Sequence, residues 1–182
     1  MNSNQPPVIY TIGHSTQMLS DFIGMLKSFE IQVLADIRHY PGSRKYPHFN
    51  KENLKKELPE NGIEYLHLEA LGGRRKTVQN SKNTRWRNAS FRGYADYMET
   101  DGFKEGIAEL QALSSIKTTA YMCSEAVWWR CHRSIVSDWL KAKGWKVLHI
   151  TANDKATEHP YTSAARVVDN QVYYFDENLF HP

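Results

Sequence analysis

Val8-Ile9-Tyr10-Thr11-Ile12-Gly13-His14-Ser15-Thr16 is the stretch that decides the fold class. Its first five residues are apolar, β-branched or aromatic without alternation, the pattern of a strand buried on both faces. Gly13 ends the run, and Ser15 or Thr16 is placed to cap a helix whose apolar positions Met18, Leu19, Phe22, Ile23 and Leu26 follow at helical spacing. A second β-rich run, Ile31 to Ile37, closes at Asp36-Ile37-Arg38. Strand, helix, strand in this order is the unit of a parallel sheet.

The rest of the chain repeats the alternation. A helix is expected from about Lys51 to Glu57, ended by Pro59 and Asn61-Gly62, then a third strand at Tyr65-Leu66-His67-Leu68. Tyr94, Tyr97 and Met98, then Phe103, Ile107, Leu110 and Leu113, predict two helices broken near Asp101-Gly102. Thr118 to Cys123 is a strand, Arg133 to Lys143 a helix, and Trp145 to Ile150 the last core strand. Val167-Val168 and Val172-Tyr173-Tyr174-Phe175 around Asp169-Asn170 predict a C-terminal hairpin within 165–176. The expected architecture is a single α/β domain over 1–182: a layered, mostly parallel sheet flanked by helices, with residues 1–7 a disordered tail. In such sheets ligands bind beyond the carboxyl ends of the strands. Those ends deliver Gly13-His14-Ser15, Asp36-Ile37-Arg38 and Cys123-Ser124-Glu125.

The 182 residues, 41% hydrophobic and 24% charged, fit one globular domain of ordinary size. No apolar run reaches the roughly 20 residues of a membrane span, and the N-terminus has no signal-peptide pattern. Two cysteines make no disulfide framework. A cytoplasmic protein with reduced thiols is expected. The net charge of +3 is unevenly placed: seven of the 23 basic residues lie between Arg74 and Arg92 with no acidic one, so the remaining 16 face 20 acidic residues, a balance of −4. Residues 71–92 therefore form a long basic loop that faces anions. Arg74, Arg75, Arg85 and Arg87 with Trp86 and Phe91 can neutralise phosphates and stack bases. Equally, such a run can be a solvated loop whose aromatics pack back on the domain.

The segment from Cys123 to Arg133 concentrates the chemistry. Cys131-His132-Arg133 opens a helix, where the dipole and an arginine favour a thiolate. Cys123 or Cys131 is a candidate nucleophile, and Glu125, His132 and Asp36 are candidate acid/base groups. His14, Ser15, Arg38, Arg44, Arg74 and Arg133 are candidate substrate-binding residues. The plain alternative is that both cysteines are small buried hydrophobes and that Glu125 pairs with Arg130 or Arg133. Familiar motifs do not match. Cys123 and Arg130 are separated by six residues, too many for a tight oxyanion cradle. Cys123, Cys131 and His132 have an unusual metal-ligand spacing and no evident fourth partner, so no metal is expected. There is no Cys-x-x-Cys, no Gly-x-Gly-x-x-Gly and no Walker pattern, so no cofactor is expected.

Taken together, Ile9 to Thr16, Asp36-Ile37-Arg38, Pro41-Gly42-Ser43-Arg44, Pro47-His48-Phe49-Asn50, Leu71-Gly72-Gly73-Arg74, Phe91 to Met98, Met122-Cys123-Ser124-Glu125 and Cys131-His132-Arg133 resemble the domain-of-unknown-function 488 family. The resemblance runs in order from about Val8 to Ile150. It implies a compact α/β fold and carries no reaction with it. Two functions remain open on the residues: an enzyme acting on an anionic, phosphate-bearing substrate such as a nucleotide or nucleic acid, and a non-catalytic nucleic-acid-binding module using 74–92. A small-molecule sensor or metal-dependent regulator is a third. No membrane partner is expected, and the oligomeric state is not legible.

Overall fold

Residues 5–176 are described by the computed structural model of the chain; the first four residues of the expected tail lie outside them. Pro7, at its end, is held, since its carbonyl accepts from the Lys146 N–H. Eight strands and five α-helices follow in the order β1 (Val8–Gly13), α1 (Leu19–Ser28), β2 (Val33–Asp36), α2 (Lys51–Glu60), β3 (Glu64–His67), α3 (Ala89–Tyr97), α4 (Asp101–Ile116), β4 (Thr119–Cys123), α5 (Arg133–Ala142), β5 (Lys146–Ala152), β6 (Lys155–Glu158), β7 (Arg166–Val168) and β8 (Gln171–Tyr173). The first six strands form one sheet in the order β3-β2-β4-β1-β5-β6. All its pairs are parallel except β5 with β6.

Alternation along the strands sorts the core onto two faces. Ile12, Leu34, Ala120, Met122 and Ile150 pack with Phe22 and Leu26 of α1 and Leu54 and Leu58 of α2. Ile9, Ala35, Ile37, Tyr121 and Val147 pack with Tyr94, Phe103, Ile107, Ile135 and Leu140 of α3, α4 and α5. Helices on both faces explain why the strands read as continuous apolar runs.

The chain leaves β1 for β2 and β3, then returns to insert β4 between β1 and β2 before crossing to β5. The resulting reversal of direction lies between β1 and β4, and a crevice opens at their carboxyl ends. Backbone bonds carry the pairing beyond the strands: His14 N–H donates to Cys123 O, Ser15 N–H to Ser124 O and Ile37 N–H to Met122 O.

Several sequence expectations need correction. Ser15 and Thr16 do not cap α1. Ser15 sits at φ +49 with its N–H given to Ser124, and the helix starts at Leu19 with Met18 before it and no side-chain cap. Pro59 does not end α2, which runs to Glu60. The break between α3 and α4 falls at residues 98–100, where the Thr100 hydroxyl caps α4 by accepting from Phe103 N–H; Gly102 is inside the first turn. An exposed antiparallel strand, β6, which the sequence did not signal, adds to β5 at the sheet's edge. The hairpin is β7 with β8, turning through Asp169 and Asn170, both at positive φ.

Residues 72–88 form no helix or strand, yet they are fastened throughout. The Arg75 guanidinium lies 3.7 Å from the centre of the Tyr97 ring and donates to Gly72 O. Arg85 donates to Ala164 O and pairs with Asp176. Arg92 donates to Trp86 O, and Trp86 stacks on Phe91. Buried Asp96 accepts from Val78 N–H, Ser81 Oγ and Asn83 Nδ2. Gly93 lets the segment cross α3, since an added Cβ would lie 2.3 Å from Arg75 O. The loop thus packs Arg75, Arg85, Arg92 and its aromatics onto the domain, while Arg74 and Arg87 stay exposed.

Candidate active site

A cavity of about 590 Å³ opens over the carboxyl ends of β1, β2 and β4, lined among others by His14, Ser15, Arg38, Arg74, Cys123, Glu125, Arg130 and His132. A smaller one of about 170 Å³ adjoins it and adds Phe91, Tyr94 and Cys131. The convergence expected from the strand ends is therefore present, but not every candidate residue reaches the cavity.

Asp36 does not line it. The carboxylate is fully buried and accepts from Arg38 Nε at 2.9 Å, Arg38 Nη2 at 2.6 Å, the Arg38 N–H and the Tyr65 hydroxyl at 2.7 Å. Arg38 spends its remaining donors on Phe49 O and His14 Nε2. Burial opposes the Arg38 charge, and the hydrogen bonds and charge of Asp36 more than offset it, so its pKa is raised. Desolvation beside the same carboxylate raises the Tyr65 hydroxyl. The Asp36–Arg38 pair is a buried brace for the cavity floor.

Arg133 is likewise internal. It is 1% exposed and donates to Thr11 Oγ1 at 2.8 Å and to Glu125 O at 2.6 Å. It takes the carbonyl of Glu125, not its carboxylate. Gly13 makes room for this contact. An added Cβ there would stand 1.8 Å from Glu125 O and 2.8 Å from Arg133 Nη2. Arg133 therefore shapes the loop 124–127 from beneath and is not a cavity arginine. Arg44 is exposed and outside the cavity lining.

Cys123, Cys131 and His132, which sequence spacing argued against as a set, do come together: their Sγ and ring nitrogen atoms all lie within 4.8 Å of one another. His132 Nε2–H donates to Ile37 O at 2.9 Å, which leaves Nδ1 facing Cys131 Sγ at 3.6 Å and Cys123 Sγ at 4.0 Å. The Arg133 N–H donates to Cys131 Sγ at 3.4 Å. The two thiols are driven apart in acidity. A hydrogen bond from Cys131, then His132 nearby, holds Cys123 well below the usual thiol range despite its burial. Burial, then the hydrogen bond to Cys123, pushes Cys131 up.

Sequence reasoning gave no role to Gly73, Arg130, His39, Tyr40 or Tyr46, yet all line the cavity. Gly73 lies against the His132 ring: an added Cβ would meet Nδ1, Cε1 and Cγ at 2.9, 3.2 and 3.3 Å, a contact on the ring face. The quoted Leu71-Gly72-Gly73-Arg74 was the available signal. Arg74 follows at φ +60, and with Ser15 it is a backbone outlier on the cavity wall. Trp128 stacks on His149 at 4.7 Å, His149 Nε2 lies 2.9 Å from His159 Nδ1, and His159 Nε2 donates to buried Asp138.

Two of these histidines are kept neutral by the fold. Burial, then the Arg38 charge, lowers His14 to about 4; burial, then His159, lowers His149 to about 2. Below the free-histidine value the unfolded chain binds more protons than the folded one. Their contribution is thus complete above pH 6.5 and lost as pH falls toward 4. At about 1.4 kcal/mol per pKa unit, urea unfolding should show a loss of at least about 2 kcal/mol between pH 6.5 and 4.5. A flat profile over that interval would contradict the neutral assignment.

Among the described residues no helix is long and apolar enough to cross a membrane. No curated protein and no solved structure matches the chain. A family model described as "Domain of unknown function DUF488" matches residues 18–140, a span that takes in Asp36, Arg38, Gly73 and the whole segment from Cys123 to Arg133. With 123 of its 182 residues matched, across most of the segments that build the cavity, the chain belongs to the DUF488 family.

Proposed function

We propose that the protein is an enzyme that takes an anionic, phosphate-bearing substrate, a nucleotide or a nucleic-acid end, into the cavity and acts on it at the Cys123–Cys131–His132 centre. One observation carries this reading. Arg74 and Arg130 border the same cavity as Cys123 and Glu125, and no hydrogen bond or ion pair holds either guanidinium among the described residues. The arginines beneath, Arg38 and Arg133, are committed to internal partners. The free pair is placed to clamp a phosphate.

The other walls fit the rest of such a substrate. The volume lies in the range of small-ligand sites. Tyr40, 65% exposed, carries the Arg74 guanidinium 5.5 Å from its ring centre, which sets an aromatic wall beside that cation. Glu125, exposed on the cavity wall, is the group placed to move a proton, and neutral His14 adds a hydrogen-bonding edge.

The binding-module reading has less support. A phosphate footprint needs free cations, and Arg75, Arg85 and Arg92 are turned inward while Trp86 is stacked between Phe91 and Tyr174. Titration with pyrophosphate or a nucleoside diphosphate tests the choice. Arg74→Ala and Arg130→Ala should each weaken binding by roughly 10-fold, the loss of about 1.4 kcal/mol expected for one charge-assisted contact. Arg87→Ala should leave it unchanged. Equal losses from Arg87→Ala and Lys76→Ala would favour the binding module.

A further inference from the structure

We infer that Cys123, Cys131 and His132 form a binding site for one thiophilic divalent metal ion, of which zinc is the type, with its fourth position open to the substrate cavity. The inference builds on the location proposed for the reaction but on none of its substrate assignments.

The first support is distance. A tetrahedral zinc ion with sulfur at about 2.3 Å and nitrogen at about 2.0–2.1 Å separates its donors by roughly 3.5–3.8 Å. Cys131 Sγ to His132 Nδ1, 3.6 Å, falls in that range; Cys123 Sγ to Nδ1 is 4.0 Å, and all three donors lie within 4.8 Å. Small side-chain rotations close the remainder. Chain spacing spoke against the set only because it could not show α5 starting directly behind the end of β4.

The second support is the orientation of the ring. Metal-bound histidines hand their other N–H to a carbonyl or carboxylate, which fixes the tautomer. His132 does this with Ile37 O, and the nitrogen left for a metal is the one that faces the sulfurs. Gly73 fixes the ring from its face, leaving the direction of that nitrogen clear.

The third support is the treatment of the sulfurs. The backbone N–H of Arg133, two positions on from Cys131, donates to its Sγ at 3.4 Å. Such a donor stabilises sulfur that carries charge, and two thiolates with a neutral imidazole balance a divalent ion. Thiolate and imidazole ligands select zinc and its neighbours over magnesium or calcium.

Three protein ligands are the number found in catalytic zinc sites, where the fourth position takes water or substrate. Cys123 and His132 line the larger cavity and Cys131 the adjoining one, so the open position faces the space that holds Arg74, Arg130 and Glu125. An ion there polarises a phosphoryl oxygen or acidifies a bound water.

The test uses untagged full-length protein, reduced, stripped with a chelator and titrated anaerobically with Co²⁺ and then Zn²⁺, with no phosphate compound present. One equivalent of cobalt should give the sulfur-to-cobalt charge-transfer absorption of two thiolates, and zinc should displace it. Cys123→Ser and Cys131→Ser should each weaken zinc binding by more than the roughly 100-fold that loss of an outer-shell partner can cost. If either variant fails to fold, alkylation of the wild-type protein decides: Cys123, which lines the larger cavity, should alkylate without zinc and be protected by it. Cobalt binding without charge-transfer absorption, or alkylation unaffected by zinc, overturns the metal site. That result leaves the phosphate titrations untouched, and loss of phosphate affinity with a full metal equivalent would separate the two in the other direction.

Discussion

Asp36→Asn should destabilise the protein by about 3–5 kcal/mol, the range for removing one partner of a buried ion pair. The substitution leaves the Arg38 guanidinium, 6% exposed, without its counter-charge, and it turns an amide N–H₂ toward groups that are themselves donors. For a chain of this length each kcal/mol moves the melting temperature by about 2–4 °C, so a fall on the order of 10 °C is expected in a thermal scan. Removing both charges together should cost less than removing Asp36 alone, because no unpaired ion is left behind. Asp36→Leu combined with Arg38→Met should therefore recover part of the loss, short of the whole because Arg38 also holds Phe49 O and His14 Nε2. A double variant worse than the single one would show that Arg38 matters apart from its partner.

Gly13→Ala should be the most damaging single methyl in the molecule. The added carbon would occupy the position of Glu125 O, 1.8 Å away, with Glu125 C at 2.7 Å. Backbone cannot yield there cheaply: Ser15 and Ser124 are hydrogen-bonded on one side, and Arg133 grips Glu125 O from below. The loop 124–127 must lift, taking Glu125 and the rim of the cavity with it. A loss of more than about 3 kcal/mol in urea unfolding is expected, at the upper end of overpacking costs. Pyrophosphate affinity should vanish with it. Gly24→Ala is the matched control, since its added carbon meets nothing nearer than 3.7 Å, and in α1 it should be neutral or stabilising by a few tenths of a kcal/mol.

Much of this architecture is legible in the sequence for a simple reason. β1, β2, β4 and β5 are covered by helices on both sides, so their apolar runs stand out, and the helices between them carry clear apolar stripes. β6 is different. Lys155-Ala156-Thr157-Glu158 is largely exposed and has no apolar pattern, and only pairing with β5 makes it a strand. The helix after β1 was placed too early because Ser15 and Thr16 are good caps; strand pairing claimed Ser15 first.

The site divides in the same way. Residues at strand ends, His14, Cys123 and Glu125, could be placed because topology alone sends them to one edge. Arginine roles could not. Arg38, Arg74, Arg130 and Arg133 are chemically alike in the sequence, and only burial separates the two that brace the floor from the two that face the cavity. The charge run 74–92 was visible, while the inward turn of Arg75, Arg85 and Arg92 depends on carbonyls and rings far along the chain. Cys123 and Cys131 were judged by spacing, but the turn of residues 124–130 brings the sulfurs to one imidazole nitrogen.

The most direct test of the site is to map the pyrophosphate titration on the amide resonances of the isotopically labelled protein. The account predicts shifts concentrated at Ser15, Gly73, Arg74 and residues 124–130, absent in the Arg74→Ala, Arg130→Ala double variant. Shifts confined to residues 76–88, with the cavity unmoved, would contradict it.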